Sequence, residues 1–449
     1  GRQAMTANTT ADDNTAVGAL ALTANTTGAN NVAVGMSALT SNVTGAANTA
    51  VGTCALQNVD ANGNNAFGYF ALYNTSSGTC NVAIGQDNTR CNTTGSCNVS
   101  IGNQSLRANT TASNNVAVGI NSLKANTTGY ENIGIGRCAL FTNTEGFQNT
   151  GLGSLSLLLN TTGDCNVAVG HQSLQNNTTA NNNTAVGNSS LKATTTGIQN
   201  TAIGLRSLRS NTTGENNVAV GAYALDAHVS GSCSVAVGAS SLESNTASDN
   251  TAVGGRSMTF NTTGTANVAV GRSALLCNTS ANNNTAVGFS ALCLNTTGSF
   301  NTAIGCGSLS GNTTASGNTA FGSSSLKANT TGTENVASGS CALASNTTAS
   351  YNTAVGFEAL HDNTTGSDNT AFGDSASHKI TTGTCNVSVG SYSLLTNTTG
   401  AKNTAIGRSA LQANTTANNN TAVGFSALQT NTTGADNSAI GYRALCLNT

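Results

Sequence analysis

Proline and tryptophan are absent from this 449-residue chain, and charged and aromatic residues make up only 7% and 4% of it. A chain without proline and with so few charges lacks the composition of an ordinary disordered segment. Net charge is −2 and the 15 Lys and Arg residues are scattered singly, so no basic stripe can neutralise a phosphate backbone and no nucleic-acid partner is expected. No apolar run approaches the roughly 18 residues of a membrane span, so no membrane insertion is expected of this section. Dinucleotide fingerprints, Walker loops, nucleophile elbows and acidic calcium repeats are also missing. Neither an active site nor a cofactor is expected.

What is present is repetition. The stretch from Asn14 to Asn30 returns throughout the chain, closing each time on a glycine: Gly18, Gly35, Gly52, Gly68 and onward to Gly441. These 26 glycines are seventeen residues apart, except for two intervals of sixteen that end at Gly68 and Gly254. So short and regular a period means a solenoid, in which each coil contacts only its neighbours. The expected fold is all-β: one parallel β-solenoid domain over residues 1–449 with about 26 seventeen-residue coils, on the order of 125 Å long at ~4.8 Å per coil. The register is already occupied at Gly1 and stops in mid-turn at Asn448-Thr449, so the chain is expected to continue past both ends.

Positions are counted from the repeat glycine, taken as 0. Val, Ile, Phe or Leu fills −1 except at Ser338, Val or Thr dominates −3, and Leu fills +4 in 23 of 26 repeats. Alternating β-branched residues predict a strand, with −1 and +4 as the core. Ala between them at −2 implies that the opposite strand face is also closely approached. Of 32 charged residues, all but Asp60 and Glu145 fall at +1, +2, +5, +6, −6 or −5. Three adjacent pairs that both tolerate charge predict three bends.

Two asparagine rows stand out. The −4 row, which includes Asn14, Asn31, Asn48, Asn81 and Asn115, leads into the strand and is expected to form a structural amide ladder. The +7 row carries an Asn-x-Thr/Ser acceptor signature at Asn8, Asn25, Asn42, Asn92, Asn109, Asn126, Asn160, Asn177 and Asn211, and again at Asn261, Asn278, Asn295, Asn312, Asn329, Asn346, Asn363, Asn397, Asn414 and Asn431. Nineteen signatures in one register predict an outward row bearing covalent glycans; plain turn chemistry, with Thr hydroxyls stacked in a ladder, is the alternative.

Among the thirteen cysteines, Cys80 and Cys97 share −5 on successive coils, Cys91 competes for the same bond, and Cys277 lies one coil from Cys293. These are candidate disulfide staples, with incidental small residues as the alternative. No Cys-x-x-Cys pair suggests zinc, and the four histidines are expected to be separate surface imidazoles, so no metal site is predicted.

The words Asn31-Val32-Ala33-Val34-Gly35, Asn98-Val99-Ser100-Ile101-Gly102 and Asn200-Thr201-Ala202-Ile203-Gly204 resemble the Asn-Ser-Val-Ala-Ile-Gly head repeat of trimeric autotransporter adhesins, which is also seen in tail-fibre-like proteins. The resemblance covers essentially the whole chain and implies a left-handed parallel β-roll, trimeric self-association, and display on a cell or virion surface. This coil is about three residues longer than the adhesin's, roughly by the Asn-Thr-Thr-Gly turn. The functional expectation is an extracellular structural fibre or stalk, self-associating as a homotrimer or end to end. An adhesin or tail-fibre shaft with a receptor-binding surface and an ice-binding solenoid are the alternatives.

Overall fold

The computed structural model describes residues 1–448; Thr449, the last residue of the turn expected at Asn448-Thr449, lies outside the described residues. The chain forms two units that meet in sequence at Ser230 and Gly231. In the first, thirteen three-residue strands from β1 (Thr15–Val17) to β13 (Val218–Val220) each pair in parallel with the next in sequence. The second repeats the arrangement from β14 (Val235–Val237) to β26 (Ser438–Ile440). Registers match residues seventeen apart, as in Thr15 with Val32, and shift to sixteen at Thr49 with Asn65 and at Val235 with Thr251. No helix occurs among the described residues. Each unit is a parallel β-solenoid with one coil per repeat.

Local geometry explains the repeat glycine. At Gly35 φ is +137°, and an added Cβ would lie 2.5 Å from the carbonyl oxygen of Gly52, the same position one coil on. Only glycine accepts both the dihedral and the close approach. Three further positions per coil adopt left-handed backbone with ordinary side chains, as at Ser37 (φ 58°), Leu39 (φ 52°) and Ala47 (φ 57°). Each costs roughly 1–2 kcal/mol in isolation. The geometry is held because it turns successive peptides along the stacking direction. Ser37 N–H donates back to Ala19 O at 2.9 Å, while Leu39 N–H donates forward to Ala55 O at 3.1 Å.

The core corrects one sequence expectation. Leu at +4 is fully buried, as at Leu106, Leu123 and Leu140. Its partner is not the −1 residue, which faces outward: Ile135 is 40% and Phe372 42% exposed. The inward strand residue is the −2 alanine, buried in Ala33, Ala50, Ala117 and their equivalents. Size decides this. At Gly134 an ideal Cβ would already stand 3.2 Å from Cγ and 3.3 Å from Cδ1 of Leu123, so a branched residue does not fit opposite leucine. The −3 residue shares the outer face with −1, which leaves two outward, partly exposed columns of mainly Val, Ile, Thr and Phe along each unit's strands. Charged side chains line the bends, with Asp226 the buried exception at 8% exposure, held by Arg206 and Arg209 at 3.0 Å each.

Candidate functional site

Both asparagine rows lie inside the coil, and they share an acceptor. In the −4 row, Asn31 Oδ1 accepts the backbone N–H of Asn48 at 3.0 Å and its Nδ2–H at 3.1 Å. Asn31 Nδ2 in turn donates to the carbonyl of Gly45 at 2.9 Å. Asn14, Asn81 and Asn115 occupy the same ladder. In the +7 row, Asn42 Nδ2 donates to that same Gly45 carbonyl at 2.8 Å and to Asn25 Oδ1 at 3.0 Å.

The outward orientation expected of the +7 row is therefore overturned. Eighteen candidate acceptors, Asn25, Asn42, Asn92, Asn109, Asn126, Asn160, Asn177, Asn211, Asn261, Asn278, Asn295, Asn312, Asn329, Asn346, Asn363, Asn397, Asn414 and Asn431, have no exposed surface, and Asn8 is half-buried. Asn126 shows why the packing is incompatible with glycan: one Nδ2–H goes to Gly129 O at 2.8 Å and the other to Asn109 Oδ1 at 3.2 Å. A sugar on Nδ2 would remove a buried hydrogen bond and has no volume to occupy. The neighbouring Thr at +8 behaves as the alternative reading describes, its hydroxyl donating to the next coil, as from Thr110 to Thr127 O at 3.1 Å.

The +7 column has five interruptions, and four of them leave a mark on the coil before. Val59, Thr75, Thr194, His228 and Ile380 replace asparagine. Asn42, Asn177, Asn211 and Asn363, each one coil before a replacement, carry a buried Oδ1 with no hydrogen-bond partner. Such an oxygen costs about 1–3 kcal/mol. His228 is fully buried, so it is not the surface imidazole the sequence suggested.

Where leucine is replaced by a hydroxyl residue at +4, the inner alanine of the same coil is replaced by serine. Thr89 meets Ser100, which also contacts Asn88 Oδ1, and Ser377 donates to Ser388 at 2.7 Å. A polar side chain facing the core is thus given a buried partner.

All thirteen thiols are free, and none of the staples considered for Cys80, Cys91, Cys97, Cys277 and Cys293 is formed. Residues stacked in parallel register project their Cβ bonds side by side at about the 4.8 Å strand spacing, wider than the ~3.8 Å a disulfide needs. Partial burial, with the Cys277 sulfur close by, pushes the Cys293 thiol above its ordinary range.

The structure brings together what the sequence separated. His361 and His378 occupy +5 of successive coils, with rings stacked 5.0 Å apart. Asp362 Oδ1 lies 2.7 Å from His361 Nδ1, Asp362 Oδ2 lies 2.9 Å from Lys379 Nζ, and Glu358 Oε2 lies 3.5 Å from His378 Nδ1. Burial lowers the His378 imidazole pKa, with Lys379 and His361 adding to the effect against Asp362 and Glu358. At Asp362 burial acts to raise the pKa, but bonds and charge from Lys379 and His361 hold it below the carboxylate range. His361, Asp362 and His378 could hold a metal ion, which corrects the reading of isolated histidines. Writing the histidines in coil register, both at +5, is the signal that would have found the pair.

Elsewhere the surface offers shallow hollows between coils, one of about 320 Å³ flanked by Arg107, Lys124 and Phe141. The outward strand columns continue into exposed +1 side chains such as Phe289, Phe357 and Phe425. No family model matches the chain, and no curated protein matches it.

Proposed function

We propose that this chain is a structural fibre or stalk, displayed outside the cell or on a virion surface. The supporting observation is that each coil in a unit is tied to the next by main-chain hydrogen bonds and by a buried amide column, both lying along the stacking direction. Tension along the stack is shared by parallel bonds at every junction, so stiffness needs few charges. Resemblance to the adhesin head repeat supports the surface location. Antibodies raised against the chain, used for immunogold electron microscopy of native material, test this reading. Decorated surface fibres are expected; label confined to the cell interior would overturn it.

A second reading is lateral self-association or receptor contact through the outward strand face. Its support is the pair of exposed β-branched columns with aromatic +1 neighbours, an apolar stripe of the kind that marks interaction surfaces. Placing lysine at Ile84, Ile101 and Ile135 should leave the coil intact and lower the sedimenting mass. An unchanged assembly would remove that face from the contact.

A further inference from the structure

The coil that starts at Gly373 departs from the repeat at two inward positions. Serine at Ser377 replaces the core leucine and Ile380 replaces the turn asparagine, leaving Asn363 Oδ1 of the preceding coil buried and unpaired. At the rim of that same junction the coils carry matching imidazoles.

We propose that His361, Asp362 and His378 bind a divalent transition-metal ion of the zinc or nickel class, clamping the two coils where their core contacts are depleted. Each residue offers one ligand atom, and the three atoms lie within 4.8 Å of one another. The two rings are nearly parallel, at 5°, and no hydrogen bond joins them; because imidazole nitrogens donate in the ring plane, the rings must turn toward a common point for an ion to replace stacking by a bridge. His378 Nδ1 is shielded from solvent and lacks a hydrogen-bond partner; its near neighbour is the Glu358 carboxylate at 3.5 Å, which supplies a further oxygen. Ligand atoms at about 2.0–2.2 Å from zinc stand roughly 3.3 Å apart in a tetrahedron, so the side chains must close by up to about 1.5 Å from the 4.8 Å they span. All three are only partly buried on a bend, so turning them costs the contacts of Asp362 with His361 and Lys379 rather than core packing. Two imidazoles and a carboxylate favour zinc, nickel or copper over magnesium or calcium. Lys379 is the built-in competitor, because its ammonium already holds Asp362 Oδ2 at 2.9 Å.

The test is calorimetric titration of the full chain with zinc chloride after alkylation of its thiols, which removes the cysteines as rival ligands. One saturable site is expected, at least tenfold weaker in His378→Asn and in His361→Asn, and tighter in Lys379→Gln. Zinc should also slow exchange of the Asp362 amide, which donates to His378 O at 2.9 Å across the junction, by about tenfold. Amides near Leu292 report whether the variants retain the solenoid. Equal zinc binding by wild type and His361→Asn/His378→Asn, or an Asp362 amide indifferent to zinc, would overturn the proposal.

Discussion

The two sixteen-residue coils, Gly52 to Gly68 and Gly238 to Gly254, lose a residue from the same turn and repair the loss differently. In the first, asparagine gives way to Val59 and the next residue is Asp60. One carboxylate oxygen of Asp60 accepts the backbone N–H groups of Val43, Thr44 and Gly45 at 3.1, 2.7 and 3.0 Å. Elsewhere the main-chain oxygen of the +8 residue does this, as Val43 O does for Thr26 and Thr27. A charged side chain has taken the place of a carbonyl, which explains why Asp60 falls outside the charge register. The second short coil keeps Asn245, whose Nδ2 reaches Ala247 O at 2.7 Å, one residue sooner than usual, while its Oδ1 accepts Asn261 at 2.7 Å. An amide column runs on from this coil through Asn261 and Asn278, whereas it stops at the other. A deleted turn residue is therefore tolerated in either of two ways, one of which sacrifices the column.

Copying one repair into the other coil separates their contributions. Asn245→Val should be the most damaging change, removing a donor to Ala247 and an acceptor for Asn250 and Asn261, and should cost about 3 kcal/mol locally, read as faster amide exchange around Thr262. Asp60→Ala strips three backbone donors of their acceptor, but at an exposed site that water can reach; about 1–2 kcal/mol of protection at Thr44 and Gly45 should be lost. Val59→Asn should add about 1 kcal/mol by giving the orphaned Asn42 Oδ1 a donor, provided the shortened turn admits the amide. Acid should separate the two shortened turns by the smallest effect, acting on that of Asp60. Partial burial acts to raise the Asp60 pKa, yet hydrogen bonds from Thr44, Gly45 and Val43 bring it below the ordinary 3.8. The folded carboxyl thus binds its proton less readily than the unfolded one. Its stabilisation is complete above about 3.8 and is lost as pH falls through the lower folded value. The turn from Asn245 to Ser248 contains no carboxylate, so its protection should not follow that titration.

Period, strand position, bends and the leucine core were all legible in the sequence, because each depends on residue type at a fixed spacing. The facing of the strand was not. In Thr-Ala-Val both parities are available, and hydrophobicity favours burying valine, whereas the narrow interior opposite the +4 leucine takes only a small residue, glycine at Gly134 facing Leu123 and alanine in most coils. The +7 asparagines were misread because Asn-Thr-Thr describes an acceptor signature and an inward turn amide equally well. The carbonyl that draws the amide inward, as Gly129 O draws Asn126, is visible only once the turn is built. The replacements at Thr89 with Ser100 and at Ser377 with Ser388 were present as exceptions to the rows, but their pairing depends on two positions facing each other across one coil.

The −4 ladder has a direction. The donors are always in the later coil, with Asn48 giving both its backbone and side-chain N–H groups to Asn31, and Asn81 doing the same to Asn64. Each finished coil therefore offers an oxygen to the next one, while its own remaining amide hydrogen waits for a carbonyl from that coil, as Asn31 waits for Gly45. A chain leaving the ribosome amino end first presents its coils in that order. Growth of the stack and synthesis of the chain run the same way, and each new repeat can fold on the one before it without waiting for the rest of the array.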